Sequence, residues 1–311
     1  MWYADEDPDA VLRFARVLRS VVTNLEDGSM KRHLQGPTLA LVGLAEGAAW
    51  GTKGDHAAAL RAYADAEASI EERISSHELS RVNLARSGSL RHLNRLDEAR
   101  AVLLLARQGF ARITDATGEA KAAWSLANIE WQAGDARRAF RLARSAHRRF
   151  VELGDHESEV MVLQTIALAL IGMLRPRPAA RLLRSLASHE AIRGNPRERA
   201  RVAWKLGETM AIEGRFEEAL ETMERASDEL RIAGDPRAAA NAMLDVAHVA
   251  GQAGDLARQV EAARAALAIL GSLPRIETEA GLALAEIERA LAAGSRVAEA
   301  IALARKGFRA N

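Results

Sequence analysis

The sequence contains no cysteine among its 311 residues. This excludes disulfide bonds, thiolate metal ligands and cysteine nucleophiles, and it fits a reducing compartment. Proline is scarce, with 7 residues, and aromatic side chains make up only 4% of the chain. Strands favour β-branched and aromatic residues, whereas the apolar content here is mostly Ala and Leu, which are strong helix formers. The composition therefore predicts an all-α protein.

The chain also lacks an excess of charge and a targeting segment. Its net charge is +1, so no overall field draws it to nucleic acid or to an anionic membrane, and any such binding must be local. The acidic N-terminus lacks the basic and apolar regions of a signal peptide, and no run approaches about 18 uninterrupted apolar residues. We therefore expect a soluble cytoplasmic protein without a membrane partner.

Motifs for catalysis are missing as well. The sequence has no Gly-rich phosphate loop, no HExxH motif and no nucleophile elbow. Its 8 histidines are scattered, without the spacing that would suggest a metal site. We expect no enzyme activity, no catalytic residues, no metal and no cofactor.

What the sequence does contain is a period of 40 residues that sets in near residue 36. A turn residue recurs at Gly54, Asn94, Gly134, Leu174, Gly214, Gly254 and Gly294. Gly and Asn are expected directly after a helix, because the left-handed backbone costs them little. Five residues after the first five turns the residue is Ala, and small residues also recur in the preceding helix. The spacing predicts units of two antiparallel helices that pack closely through small side chains.

Good N-cap residues mark the helix starts. Those between units, 40 residues apart, are Ser75, Asp115, Asp155, Asn195 and Asp235. Those after the turn inside a unit are Asp55, Asp135, Asp255 and Ser295. Three units have Arg at this place, so their second helix must be capped from elsewhere, for example by Asp97.

The two ends of the chain depart from the period. A helix is predicted from Pro8 to about Leu25, with a stop at residues 27–29, and we expect residues 1–35 to form an N-terminal capping helix and linker. The last unit, roughly 274–309, carries Glu299 and Lys306 where alanines recur elsewhere, which favours a C-terminal cap. The predicted repeat region spans 36–309.

Residues 203–226 carry the clearest copy of the repeat, with Gly207, Gly214, Phe216, Ala219 and Ala226 at its fixed positions. This pattern resembles the tetratricopeptide repeat (TPR). The period of 40 residues resembles the long-repeat branch found in kinesin light chains and in bacterial maltose-regulator-type transcription activators. The resemblance implies a right-handed superhelical solenoid of about seven helix hairpins, whose first helices line a concave groove that binds peptides or protein segments.

Counted back from Ala219, the resemblance places fifteen residues in that groove. They are Arg81, Arg91, His92, Lys121, Trp124, Asn128, Trp131, Gln132, Gln164, Arg201, Trp204, Glu208, Asn241, His248 and Gln252. Such a surface suits an extended peptide, since Trp supplies contact area, amides bond a peptide backbone and Arg or Lys a carboxylate.

The alternative is that Trp124 and Trp204 belong to the core. We favour the groove, because a shift by one position would bury Asn128 and Glu208 in the hairpin interface without partners. On this interpretation, replacing both tryptophans with Ala abolishes partner capture and leaves the melting temperature nearly intact.

Two segments of the sequence are rich in charge of a single sign. A basic patch is formed by Arg137, Arg138, Arg141, Arg144, Arg148, Arg149, Arg181 and Arg184, and the residues between Glu213 and Glu229 are rich in acids. Charge runs on helices are usually solvated faces, and opposite patches could also drive self-association.

The leading hypothesis is a protein–protein interaction scaffold that binds an extended peptide or protein segment in the groove. The alternative is a regulatory ligand- or peptide-sensing module of a bacterial transcription activator. A nucleic-acid-associated solenoid that uses the basic patch is the least favoured of the three.

Overall fold

The computed structural model describes residues 7–24, 29–69, 76–272 and 278–309. Every regular element in these ranges is an α-helix, which confirms the predicted all-α class. The helices are α1 (Pro8–Thr23), α2 (Ser29–Thr52), α3 (His56–Ala68), α4 (Ser76–His92), α5 (Leu96–Arg112), α6 (Ala116–Gln132), α7 (Ala136–Leu153), α8 (His156–Gly172), α9 (Pro176–Ser188), α10 (Glu190–Arg193), α11 (Pro196–Ile212), α12 (Phe216–Ile232), α13 (Pro236–Ala253), α14 (Leu256–Gly271), α15 (Thr278–Ala293) and α16 (Val297–Arg309).

The hairpin turns lie at the 40-residue spacing. Backbone φ is positive at Gly54, Asn94, Gly134, Leu174, Gly214, Gly254 and Gly294. Consecutive helices pack against each other across these turns, as in the pairs α2–α3, α4–α5, α11–α12 and α13–α14. The repeated element is therefore an antiparallel helix hairpin.

Most of the expected caps are present. The carboxylates of Asp55, Asp155, Asp235 and Asp255 each accept a hydrogen bond from the backbone N–H three residues further on. Ser75 lies outside the described residues.

Two expected caps are wrong. Asp97 lies inside the first turn of α5, where it pairs with Arg100, because the helix already begins at Leu96. Ser295 does not directly precede α16, which begins at Val297 after Arg296, whose φ is 58°.

The chain packs as two compact units, Met1–Ile129 with Arg148–Leu153, and Glu130–His147 with Gly154–Asn311. In the first unit, α1 packs on α2 through Val11 and Ala49, and Lys53 Nζ lies 2.5 Å from Asp9 Oδ1. Helix α2 begins at Ser29, so the expected linker is helical from that residue on. Packing on both α1 and α3 stabilises this longer helix beyond local propensity.

In the second unit, a continuous core runs from Ala219 and Met223 on α12 to Ile301 and Ala304 on α16. Gly207 allows α11 to approach α12 closely, since a Cβ at this position would lie 2.4 Å from Met223 Cγ. The last hairpin packs differently from the others, because α16 contacts α13 as well as α15. Glu299 is exposed, and the side chain of Lys306 is outside the described ones.

Candidate functional site

A cavity of about 760 Å³ lies in the second unit. Its walls come mainly from the first helices of successive hairpins, α6, α8, α11 and α13. The lining residues are Trp131, Leu168, Ile171, Gly172, Leu174, Glu208, Ala211, Ile212, Phe216, Asp245, His248, Val249, Gln252 and Arg305. The cavity therefore combines an apolar wall with several polar groups.

Four residues assigned to the groove from the sequence line this cavity: Trp131, Glu208, His248 and Gln252. Sequence reasoning missed Asp245 and Arg305. Asp245 could have been found, because it precedes His248 by three residues and so shares its helix face. Nothing in the local sequence marks Arg305, since α16 reaches the cavity only through the way in which the last hairpin packs.

A smaller cavity of about 200 Å³ in the same unit is lined by Gln164, Leu168, Leu183, Arg201, Val202, Trp204 and Lys205. Three of these are predicted groove residues, but their polar ends are engaged within the protein. Gln164 Nε2 donates to Glu198 at 3.1 Å, and Arg201 donates to Glu198 at 3.0 Å and to Asp235 at 2.6 Å.

Trp204 borders this smaller cavity and also packs against two clusters of the core. Its Nε1 donates to Asp245 Oδ2 at 3.0 Å, and Lys205 Nζ lies 3.4 Å from the centre of its ring. The groove and core interpretations of this residue are therefore not exclusive, since Trp204 both lines a cavity and packs against the core.

Two buried carboxylates lie at the larger cavity, and both have cationic neighbours. Asp245, with 3% of its side chain exposed, accepts from Arg305 Nε at 2.6 Å. Glu208 accepts from Lys205 Nζ at 2.9 Å. Because each charge is compensated, the cavity presents polar groups without a strong negative field.

None of the groove residues predicted in the first unit lines either of these two cavities. The Arg91 guanidinium is 3.1 Å from the His92 ring, which stacks on His56 with 4.3 Å between centroids. Burial lowers the pKa of Arg91 below its ordinary value. Trp124 is half-buried, and its ring is perpendicular to that of the fully buried Phe150, with 6.4 Å between the centroids. The structure thus makes Trp124 part of the packing around Phe150.

The remaining predicted groove residues line neither cavity, and the residues of the predicted basic patch are exposed. Arg81 is exposed, and Lys121, Asn128, Gln132 and Asn241 are half-buried without lining either cavity. All eight arginines of the predicted basic patch are exposed. Among them, Arg138 pairs with Glu130 at 3.5 Å and Arg149 with Glu152 at 2.9 Å.

Within the described ranges, no group of three or more His, Asp or Glu side chains could hold a metal ion. Likewise, none of the helices described is both long and apolar enough to cross a membrane.

No protein-family model matches the sequence. None of the curated proteins matches it either.

Solved structures, in contrast, share its fold. A Rap protein complexed with competence and sporulation factor is 14% identical, with a TM-score of 0.71 over 98% of this chain and 88% of that one. The Rap conjugation gene regulator of plasmid pLS20, in complex with the Phr* peptide, is 13% identical, with a TM-score of 0.64 over 98% of this chain and 90% of that one. BtubC from P. vanneervenii is 17% identical, with a TM-score of 0.57 over 74% of this chain and 92% of that one.

At these identities the likeness concerns the fold. Together with the helix hairpins of both units, it confirms the predicted TPR-like helical-repeat solenoid.

Proposed function

We propose that this protein is an interaction scaffold that binds an extended peptide or protein segment along the first helices of its second unit. The observation that carries the proposal is the cavity of about 760 Å³, to which four successive hairpins each contribute. A ligand that touches all four must be elongated in the direction in which the hairpins follow one another.

The dimensions fit a short peptide. Packed helices lie about 10 Å apart, so four first helices span roughly 30 Å. An extended chain advances about 3.3 Å per residue, so a segment of about nine residues covers that span. The volume is also within the range of about 300–1,000 Å³ that is usual for ligand sites.

The chemistry of the lining fits a peptide as well. Trp131 and Phe216 offer aromatic surface to apolar side chains, and Gln252 offers an exposed amide that can bond a peptide backbone. The neighbours support this, since one structure with the same fold holds the Phr* peptide and covers 98% of this chain.

A library of linear nine-residue peptides displayed on phage tests the proposal. We expect the wild-type protein to enrich binders whose affinity falls at least tenfold in Trp131→Ala and in Gln252→Arg. Gln108→Arg is the matched control, because Gln108 is exposed on α5, outside the cavity. The proposal fails if no linear peptide is enriched, or if the enriched peptides bind all variants equally.

A regulatory ligand- or peptide-sensing module of a transcription activator is the second candidate. It is favoured by the fold shared with a conjugation gene regulator, and by Arg305, through which the last helix reaches the cavity. In a sensing module, an enriched peptide should change hydrogen exchange in α15 and α16. Unchanged exchange there, with peptide bound, would indicate a passive scaffold.

A further inference from the structure

Six arginines occupy equivalent positions in two successive 40-residue repeats. They are Arg137, Arg141 and Arg144 on α7, and Arg177, Arg181 and Arg184 on α9. Each residue of the first set has its counterpart 40 residues later. We call these six residues the arginine array.

The spacing puts each set on one helix face. Positions i, i+4 and i+7 share a face, and at 1.5 Å per residue they advance by about 6 and about 10 Å along the axis. All six side chains are exposed. The array is therefore a solvent-facing surface with a regular spacing of positive charges.

The two helices that carry the array are held by the same neighbour. Helix α8 packs on α9 as its hairpin partner. It also approaches the start of α7, since a Cβ at Gly172 would lie 2.9 Å from Ala136 Cβ. Because α7 and α9 take equivalent places in successive repeats, their matching residues face the same side.

The charges of the array are not compensated by acids of the same chain. Some arginines elsewhere do pair with nearby acids, as Arg95 does with Glu98 and Arg215 with Glu218. In the part of the chain that the structure describes, no guanidinium of the array has a hydrogen bond or an ion pair. Arg144 lies 5.6 Å from the Phe140 ring centroid, a cation–π contact that leaves its charge uncompensated. Six such charges on one surface favour binding of a polyanion.

The composition around the array indicates which polyanion. The exposed large apolar side chains of the chain do not fall within residues 136–148 or within α9. A protein interface needs a buried core of aromatic or apolar anchors, and single-stranded nucleic acid needs aromatic rings on which bases stack. A surface of exposed arginines, with only the half-buried Phe140 ring beside Arg144, is instead suited to phosphates, which the guanidinium group binds in a bidentate way.

We propose that the arginine array binds the phosphate backbone of a nucleic-acid duplex without reading its sequence. The binding is local, so a net charge of +1 for the whole chain does not oppose it. It is also separate from the peptide groove, because the array lies on second helices and the cavity is lined mainly by first helices.

A second copy of the chain is a poorer occupant. The next 40-residue repeat has Glu217, Glu221 and Glu224 at the same three positions, so the charge there is opposite. Arg258 already bonds two of them, at 2.9 Å to Glu217 and 2.8 Å to Glu224. The acidic counterpart is thus partly compensated within its own chain, whereas the arginine array is not.

Fluorescence anisotropy with a labelled 20-base-pair DNA duplex and an RNA duplex of the same length tests the proposal between 20 and 200 mM salt. We expect affinity for at least one duplex to fall with salt. Arg141→Glu combined with Arg181→Glu should weaken binding at least tenfold at 50 mM salt. Loss of two phosphate contacts should reduce the log–log salt slope by about 1.8. The duplex that binds more tightly, DNA or RNA, identifies the type of nucleic acid.

Arg61→Glu combined with Arg264→Glu is the matched control. These exposed arginines occupy the repeat positions of Arg141 and Arg144 in other units, so the change of net charge is the same. The control should bind within about twofold of wild type, and both double variants should retain peptides enriched by the groove.

Three results would overturn the proposal. The first is no binding of either duplex at 20 mM salt. The second is an equal loss in the control, which would make the effect one of net charge. The third is tighter binding of poly-L-glutamate than of either duplex, which would assign the array to an acidic protein. If the first result comes together with dimers at low salt that the array variant abolishes, the array serves self-association instead.

Discussion

The indole Nε1 of Trp204 donates a hydrogen bond of 3.0 Å to Oδ2 of Asp245. This bond joins the first helices of two successive hairpins, α11 and α13. The second oxygen of the same carboxylate accepts from Arg305 on α16 at 2.6 Å. One buried carboxylate thus connects three helices of the second unit at the wall of the larger cavity.

Replacing Asp245 with Ala should destabilise the second unit strongly. The change leaves the Arg305 guanidinium, with 16% of its side chain exposed, without its counter-charge. Loss of one partner of a buried pair typically costs about 3–5 kcal/mol. Urea unfolding followed by circular dichroism measures the effect. Asp228→Asn, which breaks an exposed pair with Arg231, should cost less than about 0.5 kcal/mol. A loss below about 1 kcal/mol in Asp245→Ala would show that water compensates Arg305.

Trp204→Ala should lower the melting temperature, contrary to what the sequence alone suggested. The half-buried ring packs on two clusters of the core, so we expect a cost of about 2–3 kcal/mol, somewhat below that of a fully buried aromatic. Trp204→Phe keeps most of the packing and removes the indole N–H, and should cost about 1–2 kcal/mol. If Trp204→Ala melts like the wild type, the ring belongs to the groove alone.

Gly207→Ala should destabilise the hairpin of α11 and α12 by about 1–3 kcal/mol. The added methyl group would lie 2.4 Å from Met223 Cγ and 3.1 Å from the Ala219 carbonyl oxygen. Gly88→Ala provides the opposite control, because nothing lies within 4 Å of a Cβ at that helical position. Alanine there should stabilise by up to about 1 kcal/mol. Equal effects of the two changes in urea unfolding would contradict this account of the close approach.

Leu174→Gly should stabilise the protein by about 1 kcal/mol. Leu174 has a φ of 56°, a left-handed conformation that an L side chain adopts at a cost, and its side chain is 73% exposed. Little packing is therefore lost when glycine replaces it. Gly214→Ala, at a φ of 80°, should be destabilising, and the two thermal shifts should have opposite signs.

Stability should decrease at alkaline pH because of Tyr63. Burial raises the pKa of Tyr63 from 10.0 to about 12, since the ring packs in the first unit against Gly47. The unfolded chain releases the phenolic proton near pH 10, so this stabilisation is complete below pH 10 and is lost as pH rises towards 12. Absorbance at 295 nm measures the ionisation, and Tyr63→Phe should remove the later of the transitions of the 2 tyrosines. A single transition near pH 10 in the wild type would show that Tyr63 is solvated.

The repeat was predictable because it depends on local chemistry. A left-handed residue after a helix favours Gly or Asn, and an N-cap favours Asp or Asn, so seven turns and most caps could be located by spacing alone. The same reasoning failed at Asp97 and Ser295, because α5 begins two residues earlier and α16 one residue later than these caps require.

The site was only partly predictable. Trp131, Glu208, His248 and Gln252 line the larger cavity, and a TPR-like register assigns their first-helix positions to a groove. Trp124 and Trp204 show the limit of that approach. Trp204 contacts both a cavity and the core, whereas Trp124 packs on Phe150, and the neighbouring helices decide how much of each ring is packed.

The sequence by itself determined the helical class, the 40-residue unit and the existence of a run of arginines, since these follow from composition, turn chemistry and spacing. The tertiary structure decided that Arg305 meets Asp245, sixty residues earlier, and that acids pair with many of the described arginines but not with the arginine array. These outcomes depend on how the surfaces of whole helices fit together, which no short stretch of sequence encodes.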